Sequence, residues 1–169
     1  MTRVLHPPSQ GDSMNHLVAC LAAATLLCIS PSIAAQESRA VLQSATADAI
    51  RDHCLARAAG TGVPIAVAVF DHGGDLVSFG RHDGATPATG AVAQWKGRSA
   101  AVYLNPSAVT GTWNIPSAPM IATVEGGVPL FTRDGTGIGG VGVSGAAPEF
   151  DAECGTLAAE AAGLVVAPP

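Results

Sequence analysis

At 169 residues with 48% hydrophobic content, the chain has enough apolar material for one domain with a substantial core. Its formal net charge is −5, and its basic residues are scattered without forming a stripe that could track phosphates, which argues against a nucleic-acid partner. Aromatic residues make up only 4% of the chain, so close packing must rest mainly on Ala, Gly and Val.

Residues 1–35 read as a secretory signal. An apolar run from Leu17 to Ile29 is followed by Ser30-Pro31-Ser32-Ile33-Ala34-Ala35, where small residues suit cleavage after Ala34 or Ala35. The run is too short to span a bilayer, so the expectation is a periplasmic or secreted protein without stable membrane insertion. A single domain, residues 36–169, then remains. It holds two cysteines, Cys54 and Cys154, each on or near the apolar side of an expected helix, where a buried free thiol is favoured over a disulfide.

Residues Ser38 to Ala59 lack Gly and Pro and end at Gly60, which predicts the first helix. Leu42, Ala45, Ala49 and Ile50 share one face of it, and His53 points the same way. A histidine there needs a partner. It is either a core-edge imidazole bonded to a backbone carbonyl or an axial ligand to haem iron. Val63 to Phe70 is nearly all apolar and rich in branched residues, which predicts a strand covered on both faces. Asp71-His72-Gly73-Gly74-Asp75 turns the chain into a second strand, Leu76 to Arg81. Asp71 and His72 form an acid–base pair on paper, but a turn Asp that bonds its own backbone is the commoner arrangement.

Alternation along the second strand sends Leu76, Ser78, Gly80 and His82 to one face and Val77, Phe79, Arg81 and Asp83 to the other. A cation, an imidazole and a carboxylate thus emerge together where the strand opens into a helix, a favourable place for a site. Arg81 and Asp83 could equally pair with each other to fix the turn. The second helix, Pro87 to Tyr103, carries Ala88, Val92, Trp95, Ser99 and Tyr103 along one side, with Lys96 among them. Its ammonium either snorkels to the rim or meets an anion in an apolar pocket.

Asn105 to Met120, with three prolines and Trp113, predicts a long loop in which Trp113 is a lid over a ligand or a plug in a subunit interface. A second hairpin follows, Val128 to Phe131 with Gly137 to Ser144. Gly137, Gly139 and Gly142 match a dinucleotide fingerprint in spacing only. They lie within a strand, where glycine marks the close approach of another backbone or a flat ligand. Gly142-Val143-Ser144-Gly145-Ala146 falls short of a nucleophile elbow, leaving Ser144 a weak nucleophile candidate. Glu149 to Leu164 predicts the closing helix, with Phe150, Cys154, Leu157, Ala161 and Leu164 on one face, before a loose tail.

The series Gly62-x-Pro64-x-Ala66-Val67-Ala68-Val69-x-Asp71-x-Gly73-Gly74, Arg81-x-Asp83-Gly84-Ala85, Lys96, Gly126-Gly127-x-Pro129, Gly139 to Ala146 and Asp151 resembles the GlcG/HbpS haem-binding-like family. That family, also known as the haem-degrading domain or DUF336, is similar to the C-terminal domain of PduO-type corrinoid adenosyltransferases. The resemblance implies a profilin-like α/β (α+β) fold, an antiparallel sheet of about five strands with helices on both faces, and homo-oligomers. Two departures from the family pattern stand out. His82 replaces the Met of an R-M-D-G motif, and Gly97 and Ser99 fall in its K-A-x-T motif.

Two functions follow from residues and resemblance together. In the first, an exported protein binds haem, a tetrapyrrole, with His53 or His82 on the iron and Lys96 and Arg81 on the propionates. In the second, a cofactor-independent lyase or isomerase acts on a small oxygenated molecule. There Arg81 anchors an anion, His82 or Asp83 moves a proton and Lys96 stabilises an enolate.

Overall fold

A computed structural model describes residues 38–169 other than Pro116. The expected signal segment, residues 1–35, lies outside the described residues. Four antiparallel strands form one sheet: β1, Ala66–Asp71; β2, Leu76–Arg81; β3, Gly127–Phe131; and β4, Gly137–Ser144, in the order β2-β1-β4-β3. Among the described residues four helices accompany them: α1, Ser44–Ala59; α2, Pro87–Tyr103; α3, Ser107–Thr110; and α4, Pro148–Ala161. Where about five strands were expected, the sheet has four among the described residues. The tail supplies what resembles a fifth only as an isolated bridge, in which Val165 and Phe131 exchange backbone hydrogen bonds of 2.9 and 3.0 Å. The tail is therefore anchored rather than loose.

The sheet's two faces differ because alternation along β1 sorts residues by size. Val67 and Val69 point to the side of α1 and α4, joining Ile50, Cys54, Leu130, Val141, Val143 and Cys154 in the main core. Ala66, Ala68 and Phe70 point to α2, where they meet Ala93 and Ala101. On that second face helix and sheet nearly touch. A side chain on Gly142 would collide with the Ala93 carbonyl and the Gly97 backbone, and one on Gly97 would collide with the Ala68 carbonyl and the Gly142 nitrogen. The β4 glycines are thus a backbone-approach surface, as expected of glycines inside a strand.

The first hairpin forms as read. Gly74 has a φ of 84°, and the Asp71 carboxylate accepts the Asp75 N–H at 3.0 Å. Thr86 caps α2 by accepting the Thr89 N–H at 3.2 Å, with Pro87 at the first helical position. The expected loop from Asn105 to Met120 contains α3 and a 3-10 turn at Gly111–Trp113. The Trp95 indole donates to the Ile121 carbonyl at 2.8 Å and the Tyr103 hydroxyl to the Pro119 carbonyl at 2.6 Å, and these bonds pin the segment to α2.

Candidate functional site

Two clusters of charged side chains stand out. In the first, Lys96 leaves α2 and donates to the Val143 carbonyl and to Asp151 Oδ2, both at 3.0 Å. The other oxygen of Asp151 accepts the Ala146 N–H at 3.3 Å. Lys96 is 2% exposed and Asp151 1%, so the pair is sealed. Burial pushes the Asp151 carboxyl above its ordinary value, and the Lys96 charge and hydrogen bond pull it part of the way back. The pair joins α2, the end of β4 and the first turn of α4. Lys96 therefore does not snorkel to the rim, and its ammonium is spent on Asp151 and the Val143 carbonyl, where the sequence reading gave it to a propionate or an enolate.

The second cluster is open. Arg81 and Asp83 are exposed and His82 is half-buried at the end of β2. Among the described residues neither Arg81 nor Asp83 forms an ion pair, so the internal Arg81–Asp83 pairing does not occur. Arg81 stays on the α2 side with Phe79, both lying against Gly90, while Ser78 and Gly80 face α1. The sequence alternation is thereby realised. Ser144, at 8% exposure, is buried at the end of β4.

Chemistry at the histidines is set by their backbone partners. The Ile65 N–H donates to His82 Nδ1 at 3.2 Å, so the neutral ring carries its proton on Nε2. Beside it lies a cleft of about 210 Å³ lined by Ala59, Gly62, Val63 and Pro64. His82 can therefore donate a hydrogen bond there. Coordinating iron through Nε2, or accepting a proton there, would put N–H against N–H at Ile65. The replacement of Met by His thus adds a donor rather than a metal ligand or a general base. His53 is exposed, since the buried face of α1 consists of Ala47, Ile50, Cys54 and Ala58. This corrects its placement on the apolar face. No hydrogen bond fixes its ring among the described residues.

His72, set aside in the sequence as a turn residue, behaves differently. Its Nδ1 lies 3.1 Å from the Ala101 carbonyl, which can only accept, so the proton sits on Nδ1 and the Nε2 lone pair is free. No local sequence signal announces this, because the partner is 29 residues away on α2. Of the three imidazoles among the described residues, His72 alone is held with its Nε2 lone pair free.

The cysteines are free and buried, as expected, and both belong to the main core. The Cys54 thiol is pushed up by its hydrogen bond to Cys154 and by burial, which keeps it protonated and unreactive. Trp113 is half-covered and packs edge-on to Tyr103, with ring centroids 5.7 Å apart.

Comparison with known proteins places this geometry. Residues 42–160 match the family model described as haem degrading protein HbpS-like. Protein GlcG of Escherichia coli K12 is 35% identical over 86 residues, a match covering 47% of this chain and 63% of GlcG, which is less than two thirds of that relative. Among solved structures, a PduOC:haem complex superposes with a TM-score of 0.69 at 22% identity, covering 76% of this chain and 99% of that one. A double mutant of Streptomyces reticuli HbpS superposes with a TM-score of 0.71 at 22% identity, covering 79% and 94%. Klebsiella pneumoniae ORFY gives 0.70 at 21% identity, covering 79% and 97%. At these identities the structural likeness establishes the fold.

Proposed function

Because the chain belongs to the HbpS-like family, we propose that it binds haem. The observation that supports this best is the open strand end. Arg81 carries a cation without an ion-pair partner among the described residues, and the neighbouring His82 offers an Nε2 donor. The Arg81 cation suits a propionate carboxylate, and His82 offers its donor on the other face of the strand end. Bound haem would supply the iron chemistry, while this chain's residues orient the ring and neutralise its carboxylates.

The protein acts after export, in the periplasm or outside the cell, once the leader ending near Ala35 is removed. It works as a homo-oligomer. Trp95 and Met120, both exposed, line a cleft of about 320 Å³ with Ala91, Gln94 and Arg98, and a second copy would cover their apolar side chains. The proton-transfer reading survives in reduced form. It rests on the unpaired carboxylate of Asp83 as base, beside Arg81 as anion anchor, and it proceeds without Lys96.

Titration of the haem-free protein with haemin tests the main reading. A Soret band that saturates, weakened in Arg81→Ala, is expected. Absence of any spectral change with the wild-type chain would sink it, and turnover by haem-free protein would favour the lyase or isomerase. Light scattering on purified protein checks the oligomer, and intact mass of the exported product checks the cleavage.

A further inference from the structure

We propose that Cys54 and Cys154 form a peroxide-sensitive dithiol, in which Cys154 is oxidised first and Cys54 then closes a reversible disulfide between α1 and α4. Haem plays no part in it. Three observations carry it. The first is placement. Both thiols are free and buried, one on the inner face of α1 and one on that of α4, and they meet in the same core. The Cys54 thiol donates a hydrogen bond to Cys154, so the two sulfurs are already neighbours.

The second is the cover above them. Arg57, one turn after Cys54, reaches Glu153 on α4 at 2.6 Å and lies over the Phe150 ring at 5.4 Å. It stands close enough to both thiols for its charge to act on each. The Arg57–Glu153 pair is solvated, with side-chain exposures of 33% and 58%. Ion pairs of this kind contribute little to stability, so opening this one admits a water-sized molecule such as a peroxide to the seam between the helices.

The third is an unspent donor. Arg57 Nε is buried and has no hydrogen-bond partner, alone among the buried side-chain nitrogens and oxygens of the described residues. A buried N–H without an acceptor is costly. A thiolate or a sulfenate oxygen on Cys154 supplies the acceptor it lacks.

The surroundings divide the roles. The hydrogen bond from Cys54 and the charge of Arg57 pull the Cys154 thiol down, against burial and the carboxylates of Asp151 and Glu153 on its own helix. Cys54 is held up by its bond to Cys154 and by burial. Oxidation of Cys154 removes that bond, so Cys54 becomes reactive only after its partner has been oxidised. The Cys154 thiolate attacks one oxygen of hydrogen peroxide and the O–O bond breaks. The products are Cys154 sulfenic acid and a hydroxide, which takes up the thiol's proton as water. The Cys54 sulfur then attacks the Cys154 sulfur, the S–O bond breaks, and the hydroxyl leaves with the Cys54 proton as a second water. Two electrons pass from the thiols to the peroxide, and a small dithiol reverses the closure by exchange.

The test treats the folded full chain with hydrogen peroxide and maps its thiols by peptide mass spectrometry, beside Cys54→Ala, Cys154→Ala and Arg57→Gln. Wild type should give a peptide pair joining Cys54 to Cys154 that dithiothreitol separates, and the oxidised form should unfold at a higher urea concentration than the reduced one. Cys54→Ala should stop at a sulfenic acid on Cys154, trapped by dimedone, whereas Cys154→Ala should give no adduct at Cys54. In Arg57→Gln oxidation should slow several-fold, and its rise with pH should move to higher pH, a shift that a loosened helix seam alone would not produce. Two free thiols after peroxide treatment of the folded chain overturn the site. So does a cross-link that forms only at urea concentrations that unfold the protein, or one that joins either residue to Cys20 or Cys28 instead. A dimedone adduct on Cys54 in Cys154→Ala, with none on Cys154 in Cys54→Ala, overturns the assigned order.

Discussion

Two charged clusters lie on the same small domain and have opposite fates. Lys96 and Asp151 sit 55 residues apart in sequence, are enclosed, and use each other and two backbone groups as partners. Arg81, His82 and Asp83 are consecutive, largely exposed, and spend only one hydrogen-bonding atom, His82 Nδ1, on a backbone N–H beyond their own main chain. The difference shows that a charged side chain on an apolar face is not by itself a sign of chemistry. What decides is whether its hydrogen-bonding capacity is already consumed. Lys96 is a tie between layers, and the strand end is a surface with capacity left over.

The largest effect should come from halving the closed cluster. Asp151→Asn or Lys96→Met leaves a buried group without its opposite charge, which costs about 3–5 kcal/mol. Replacing both, as in Lys96→Met with Asp151→Leu, should restore most of that loss, because a buried pair contributes far less than breaking it costs. Urea denaturation of the two singles and the double measures this. Additive losses in the double would show that the residues act independently and dissolve the contrast.

A smaller loss should follow from separating α2 and β4. In Gly142→Ala the new methyl meets backbone of α2, at Ala93 and Gly97, which cannot move aside as a side chain could. Overpacking of this kind costs about 1–3 kcal/mol. It should also loosen the Lys96 contact with the Val143 carbonyl, read as faster amide exchange at Ala146, whose N–H is bound to Asp151.

Next in size is a pH dependence peculiar to the closed cluster. Burial holds the Asp151 carboxyl above its ordinary value, so the folded protein keeps that proton more tightly than the unfolded chain. The contribution of Asp151 to stability is therefore full below the ordinary carboxylate range and is lost as pH rises through the folded value. The slope is at most about 1.4 kcal/mol per pH unit for one proton. Subtracting the profile of Asp151→Asn, which cannot titrate, isolates it. In Lys96→Met the pull from the ammonium is gone, and the window should move to higher pH. A difference profile that rises with pH would reverse the sign.

How much of this was readable in the sequence depends on side-chain size. The first hairpin was legible because Asp71, Gly73 and Gly74 are demanded by the turn itself, and α2 begins at Pro87 as read. The helix faces were not. A wheel drawn through Val92, Trp95 and Tyr103 follows the bulky residues, yet the face against the sheet is Gly90, Ala93, Gly97, Ala100 and Ala101. In a chain short of aromatics the core is where the smallest residues are, because they allow the closest approach. The same error put His53 on the core side of α1, where Ala47, Cys54 and Ala58 lie instead. The Lys96–Asp151 tie and the His72–Ala101 bond were invisible for a different reason. Each is created by folding, between residues with no local relation.

The smallest effect on stability should come from the open cluster, and that smallness tests the contrast most directly. Arg81→Ala removes a cation that has no ion-pair partner among the described residues, so unfolding free energy should move by no more than about 0.5 kcal/mol. Some apolar contact is lost where the Arg81 stem passes Gly90, but the exposed head group leaves nothing unpaired behind. Haemin affinity should instead fall by about tenfold, the size of one charge-assisted hydrogen bond to a carboxylate. The ratio of the two effects is the informative quantity. A structural residue such as Lys96 loses stability first and binding only as a consequence, whereas Arg81 should lose binding at constant stability. If Arg81→Ala instead unfolded as readily as Lys96→Met, the strand end would be a second structural tie, and the propionate contact would lose its support.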